Sequence, residues 1–170
     1  NADVLSDNLS NATAIGFDAF VSASNKIRLG NGGVTVIEGQ VPFSNVSDER
    51  FKYDIKNNVP GLDFIKKLKP VTYYIDTEKM DSFLKTGAIS NSKSTTSTNK
   101  QMSTGFLAQE VVATAKELGY SFDGVHAPSN DKDYYSIAYS QFVMPLVKAV
   151  QEQQAIIETL KKRIKELEKR

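Results

Sequence analysis

The chain has 170 residues, 40% of them hydrophobic and 24% charged, enough apolar content for one packed domain with extended parts attached. Its 21 Lys and Arg nearly balance 20 Asp and Glu, and the resulting net charge of +1 gives no general pull toward nucleic acid or an anionic membrane. The absence of cysteine and the single histidine, His126, exclude disulfides, thiolate metal sites, a cysteine nucleophile and a multi-histidine zinc site, and argue against a Ser-His-Asp triad.

No apolar run reaches the roughly 18 residues of a membrane span. The sequence as given begins at Asn1 rather than Met and reads as a fragment, so the targeting of its parent stays open.

Residues 1–46 are short on charge and rich in Asn, Ser, Ala and Gly. Small and polar residues alternate from Ala12 to Gly16 and from Val21 to Ser24. Two firmer strands are predicted over Lys26–Leu29 and Val34–Ile37, joined as a hairpin by Gly30-Asn31-Gly32-Gly33, whose residues supply positive φ angles. Such short strands bury little alone and suit a narrow β-roll or prism that several chains wrap together. The glycines carry turn chemistry rather than a phosphate cradle, since no GxxxxGK[ST] pattern or following helix accompanies them.

Further along, Val59, Leu62, Ile65 and Leu68 recur at threes between Pro60-Gly61 and Pro70, predicting a short amphipathic helix that a proline stops. Lys66, Lys67 and Lys69 fall on its wet side. Val71–Ile75 is β-branched and aromatic, a strand pattern. From Ser90 to Thr104 nine of fifteen residues are Ser or Thr, a composition that cannot bury enough to order itself and predicts a mobile loop. A second helix follows, with Leu107, Val111, Ala115 and Leu118 on one face and Gly119 as its stop. The stretch from Tyr120 to Asp133 reads as loop, with His126 expected to be exposed in it, and Tyr134–Ile137 as a short strand.

The last thirty residues carry the firmest pattern. Val143, Leu146, Val150, Gln153, Ile157, Leu160, Ile164 and Leu167 alternate in steps of three and four, a heptad seam that predicts a coiled coil. In a parallel assembly Arg163 faces Glu168 of the neighbouring chain. Ile at a with Leu at d leans toward dimers, whereas Gln153 in one d layer and the wider stripe made by Val147 and Ile156 lean toward larger bundles. The residues themselves leave two or three chains open.

The segment Ser47-Asp48-Glu49-Arg50-Phe51-Lys52-Tyr53-Asp54-Ile55 resembles the opening of the intramolecular chaperone domain that ends many phage tailspikes and tail fibres, classed as peptidase S74 and carried also by a eukaryotic membrane-bound transcription factor family. Lys69-Pro70-Val71-Thr72-Tyr73, Gly105-Phe106-Leu107-Ala108-Gln109-Glu110-Val111 and the approach from Tyr135 to Glu152 resemble three further blocks of that family, in the same order. Residues 1–46 are similar to trimeric β-roll segments of fibres and adhesins.

The expected class is therefore α+β. Residues 1–46 end a fibre-like β segment, residues 47–140 form a small mixed globular chaperone domain, and residues 141–170 form a helix in a parallel trimeric coiled coil. The resemblance implies a homotrimer that helps an upstream fibre segment of the same chain fold in register and then severs itself, with Ser47 as nucleophile, Lys52 as its base and no cofactor. It also implies a setting on a virion tail fibre precursor in a host cytoplasm, or on a bacterial or prophage surface fibre. Cleavage at Val46-Ser47 is favoured because a serine hydroxyl reaches the preceding carbonyl through a five-membered ring; Ser47-Asp48 remains open for a serine of another subunit.

Serine needs a neighbour to take its proton, and lysine, with an ordinary pKa near 10.4, needs desolvation or nearby positive charge to do so. Arg50, Lys56, Phe51 and Ile55 are the expected source of both. Five residues amount to roughly 140° around an α-helix and opposite faces of a strand, so Ser47 and Lys52 must meet through a turn or across a subunit boundary. The plain alternative makes Ser47 a helix N-cap, followed by the acids Asp48 and Glu49, and Lys52 a surface lysine. On that alternative the protein is a non-cleaving trimerisation module. Asp48, Glu49 and Asp54 read as solvated acids rather than a metal site, Gln109 and Glu110 as packing or capping residues. The tail from Lys161 to Arg170 continues the heptad without the interleaved aromatics of a nucleic-acid binder.

Overall fold

The computed structural model describes residues 2–85 and 102–169, without the side chain of Lys85. In chain order the elements are β1 (Asp3–Val4), β2 (Ala12–Ile15), β3 (Phe20–Val21), β4 (Lys26–Leu29), α1 (Leu62–Ile65), β5 (Val71–Tyr73), α2 (Thr77–Lys85), β6 (Ser103–Gly105), α3 (Ala108–Glu117), β7 (Val125–His126), β8 (Ser136–Ile137) and α4 (Val143–Leu167). Short 3-10 turns occupy Glu49–Phe51 and Tyr139–Phe142. The chain is thus a mixed α and β protein with a long C-terminal helix. It forms two compact units, one of Asn1–Ser44, Thr72–Gly105 and Ala127–Tyr134, the other of Asn45–Val71, Phe106–His126 and Tyr135–Arg170.

In the first unit β1 pairs parallel with β3, and β2 parallel with β4, with Ala12 opposite Lys26 through to Ile15 opposite Leu29. Turn residues repeat along with the strands. Asn11 and Asn25 both take left-handed φ angles of 50° and 57°, and the Asn11 side-chain amide donates to Asn25 Oδ1 at 3.1 Å. Gly16 and Gly30, at φ 109° and 69°, follow β2 and β4; a Cβ on Gly16 would lie 3.3 Å from Gly30 Cα. Asparagine tolerates this region and glycine favours it, so the same turn is stacked on itself.

This replaces the expected hairpin. Lys26–Leu29 is a strand, but its partner lies upstream and parallel, while residues 34–48 carry neither strand nor helix and are largely exposed. The repeat of Asn and Gly turns, each satisfied by its equivalent in the next coil, outweighs the local turn signal of Gly30–Gly33. Leu5, Phe20 and Leu84 form the unit's small core with Met80 and Tyr134 against it. The helix α2 that supplies Leu84 is absent from the sequence reading. Its signal was Asp76, whose carboxylate accepts the Lys79 N–H at 2.8 Å as an N-terminal cap. Of the expected Ser/Thr-rich loop, Ser90–Gln101 lies outside the described residues, and Ser103 and Thr104 belong to β6, paired with β5.

The second unit's core follows the sequence periodicity only in part: Val111 and Ala115 lie in it and Ile65, Leu68 and Leu118 pack against it, but its centre is Phe64, outside the predicted face of α1, and Leu107 is exposed. Phe64 of α1, Val111 and Ala115 of α3, and Phe142 are buried together, with Ile65, Leu68, Leu118 and Phe122 packed around them. Aromatic rings set the geometry: Phe64 meets Tyr120 edge-on at 5.3 Å, and Phe122 meets Phe142 at 4.8 Å. Gly119 at φ 61° ends α3 as expected. Gly61 brings α1 onto α4, since a Cβ there would lie 2.8 Å from the Ala149 nitrogen. The Leu62 N–H, left unpaired by so short a helix, donates instead to Glu152 Oε2 of α4 at 2.8 Å. Pro145 sits in the first turn of α4, where its missing N–H costs no helical bond. His126 lies in β7 and is exposed.

Phe64 is fully buried at the meeting point of three elements. Phe64→Ala is expected to destabilise the second unit by about 3–5 kcal/mol, measured by chemical denaturation; a change under about 1 kcal/mol would contradict this core.

Candidate active site

The candidate residues lie in Asn45–Val71, at the start of the second unit. Here the chain leaves an extended stretch and makes one tight turn. Asp48 caps it: its Oδ1 accepts the Arg50 N–H at 2.9 Å, while its carbonyl accepts Phe51 N–H at 3.1 Å and the Glu49 carbonyl accepts Lys52 N–H at 3.0 Å. The Arg50 guanidinium folds back over the same carboxylate, with Nη2 2.6 Å from Oδ2 and Nε 3.1 Å from both oxygens. Asp48, not Ser47, is therefore the N-cap.

That arrangement reverses the chain over five residues. The Lys52 ammonium donates to Ser47 Oγ at 2.9 Å, within one chain. Neither a helix nor a strand makes this contact at that spacing; the 3-10 turn does. Immediately afterwards Asp54 adopts a left-handed φ of 53°, which redirects the backbone toward α1.

The surroundings differ from expectation. Arg50 is engaged by Asp48, and Lys56 by Asp54 at 2.7 Å, so the positive charges expected to crowd Lys52 are each matched by an acid two residues away. Phe51 and Ile55, expected as an apolar wall, are 69% and 67% exposed. Within one chain the hydroxyl and the amine meet in the open, on a surface lined by unburied apolar side chains that also include Val46 and Tyr53.

Residues 47–120 match the family model described as the chaperone of endosialidase, Peptidase_S74. That stretch is similar to an endosialidase-chaperone domain. The matched stretch begins at Ser47 itself, immediately on the C-terminal side of the bond that the ring argument singles out, and runs through α1, α2 and α3. No curated protein and no solved structure matches the chain.

Other singled-out residues lie apart from this turn. Lys66, Lys67 and Lys69 are exposed, and Lys67 pairs with Glu117 of α3 at 2.6 Å. Glu110, half-buried in the first turn of α3, lines with them and Phe106 a cavity of about 540 Å³, whereas Gln109 is exposed. Among the described residues no group of three or more His, Asp and Glu side chains is placed to hold a metal ion.

The Arg50 side chain, and after it the Arg50 backbone N–H, holds the Asp48 carboxyl below the usual carboxylate range. Arg50→Ala is thus expected to move the Asp48 titration midpoint upward toward the ordinary value, measured by carboxyl-carbon NMR. An unchanged midpoint would show that the fork is not formed in solution.

Proposed function

We propose that this protein is a homotrimeric intramolecular chaperone that registers an upstream fibre or tailspike segment and then releases itself by Ser47-Lys52 autoproteolysis at Val46-Ser47. The observation that carries this reading is the 2.9 Å contact between Lys52 Nζ and Ser47 Oγ at the first residue of the family match.

The chemistry follows from that contact. With the amine neutral, the hydrogen bond reverses and Ser47 Oγ–H donates to Nζ. As Oγ attacks the Val46 carbonyl carbon, Lys52 takes the hydroxyl proton. The Val46-Ser47 C–N bond then breaks, the departing Ser47 nitrogen receives the proton back from Lys52, and an ester links Val46 to Oγ. Water hydrolyses the ester, leaving the Val46 carboxylate and a free amino group on Ser47. The neutral amine requires a drier site than one chain provides, because burial disfavours the ammonium. Exposed Phe51, Ile55 and Val46 are the groups that neighbouring chains would cover. In this proposal trimer formation completes the site, and cutting reports assembly.

Two further faces support association. Helix α4 buries Pro145 and Ala149 within its own unit but leaves Val150, Ile157, Leu160, Ile164 and Leu167 exposed along the heptad seam. Ile15, Ile27 and Leu29 form an exposed apolar row on one face of the paired β2 and β4, as a β-roll shared between chains requires. Coiled-coil pairing would raise the effective concentration of these slow-pairing strands. The parent fibre would belong to a phage virion, assembled in the host cytoplasm, or to a bacterial or prophage surface.

Ser47→Ala and Lys52→Ala are each expected to leave a longer parent uncut on denaturing gels, Lys52→Ala through a loss of about 10²–10⁴-fold in rate. A parent that runs as one uncut band without any substitution would favour a passive trimerisation module.

A further inference from the structure

The cut proposed beside Ser47 divides the chain into residues 1–46 and 47–170, but it does not divide the first compact unit, which contains residues from both sides. Across the two sides lies a buried polar cluster. The Asp133 side chain has no exposed surface, and its Oδ1 accepts from Lys26 Nζ at 2.7 Å and from Ser22 Oγ at 3.3 Å. Its Oδ2 accepts from the Ser129 N–H at 3.1 Å and hydroxyl at 3.2 Å. The Asn130 amide donates to the Ser22 carbonyl at 3.0 Å, the Lys26 ammonium lies 4.3 Å from the Tyr134 ring centre, and the Arg28 guanidinium bonds the Tyr134 hydroxyl.

We infer that the 127–134 loop is the surface by which the chaperone piece grips its own fibre segment in register, with the buried Asp133 carboxylate reading Lys26 and Ser22, so that cutting the backbone does not by itself separate the products. This rests on the cleavage proposed above. Strand alternation supplies the selectivity. Lys26 and Arg28 share one face of β4 and both reach this loop, while Ile27 and Leu29 share the other. A slip of one residue would set Ile27 against Asp133 and leave a buried carboxylate without its cation, a heavily penalised state. An apolar contact alone, such as Leu5 and Phe20 against Leu84, would tolerate such a slip far better. The loop therefore holds a correctly registered strand and rejects a shifted one. Release of the chaperone piece then requires this cluster to open, separately from the peptide bond.

The test makes the cut without the dyad. In the Ser47→Ala chain, the recognition sequence of an unrelated site-specific protease replaces residues 41–46, an exposed stretch without strand or helix, and that protease nicks the folded protein. Size-exclusion chromatography then reads how fast the pieces part. The nicked pieces are expected to travel together, and Asp133→Asn or Lys26→Met to speed their separation by on the order of a hundredfold. The paired Lys26→Met and Asp133→Leu variant, which removes both partners, should retain the pieces better than either single change. Immediate separation of the nicked chain that keeps Lys26 and Asp133, or equal retention in all variants, would overturn the inference. Failure of the unsubstituted parent to cut itself would remove the autoproteolysis and leave this result standing.

Discussion

A hydroxyl and an amine five residues apart meet only if the backbone between them doubles back, and here the reversal depends on Asp48. Its carboxylate caps the 3-10 turn and clamps the Arg50 guanidinium, which leaves Ser47 outside the turn and brings Lys52 onto it from the far end. The family match starts at this same serine. A charged, exposed turn of this kind contributes little to stability, since solvent screens its ion pairs. Its effect is geometric, holding the hydroxyl and the amine at hydrogen-bond distance with their apolar neighbours unburied.

Ten residues after Lys52 the chain meets the long helix. Gly61 permits close approach to α4, and Glu152 of α4 accepts the N–H that opens α1, so α1 is fixed on the helix that bears the heptad seam. In the proposed trimer, association along that seam would bring three such turns into one neighbourhood. The exposed Phe51 and Ile55 would then be covered when the chains join, giving a physical route from assembly to a neutral amine.

The elements most legible in the sequence are those whose signals are local and periodic. The 3-4 spacing locates α3 and α4 and Gly119 closes α3, whereas α1 ends at Ile65, well before the Pro70 expected to stop it. A turn between Ser47 and Lys52 is one of two routes that elimination leaves, because no regular element fits their spacing; the plain alternative, Ser47 as a helix N-cap, gives way to Asp48, since both are good caps and the Arg50 side chain decides between them. Parallel pairing of β2 with β4 was missed because its register is carried by stacked Asn and Gly turns fourteen residues apart rather than by a hairpin. The Asp133 cluster is not foreseeable from local signals, since Ser22 and Asp133 lie 111 residues apart and the acid stands in a stretch that reads only as loop.

The central claim is that assembly completes the cutting site. Time-resolved native mass spectrometry of the refolding parent, at a series of protein concentrations, tests it directly by following oligomer and cleaved product together. The account predicts that cut chains emerge only after trimers, with a lag that lengthens on dilution. Cleaved monomer appearing at a concentration-independent rate would contradict it.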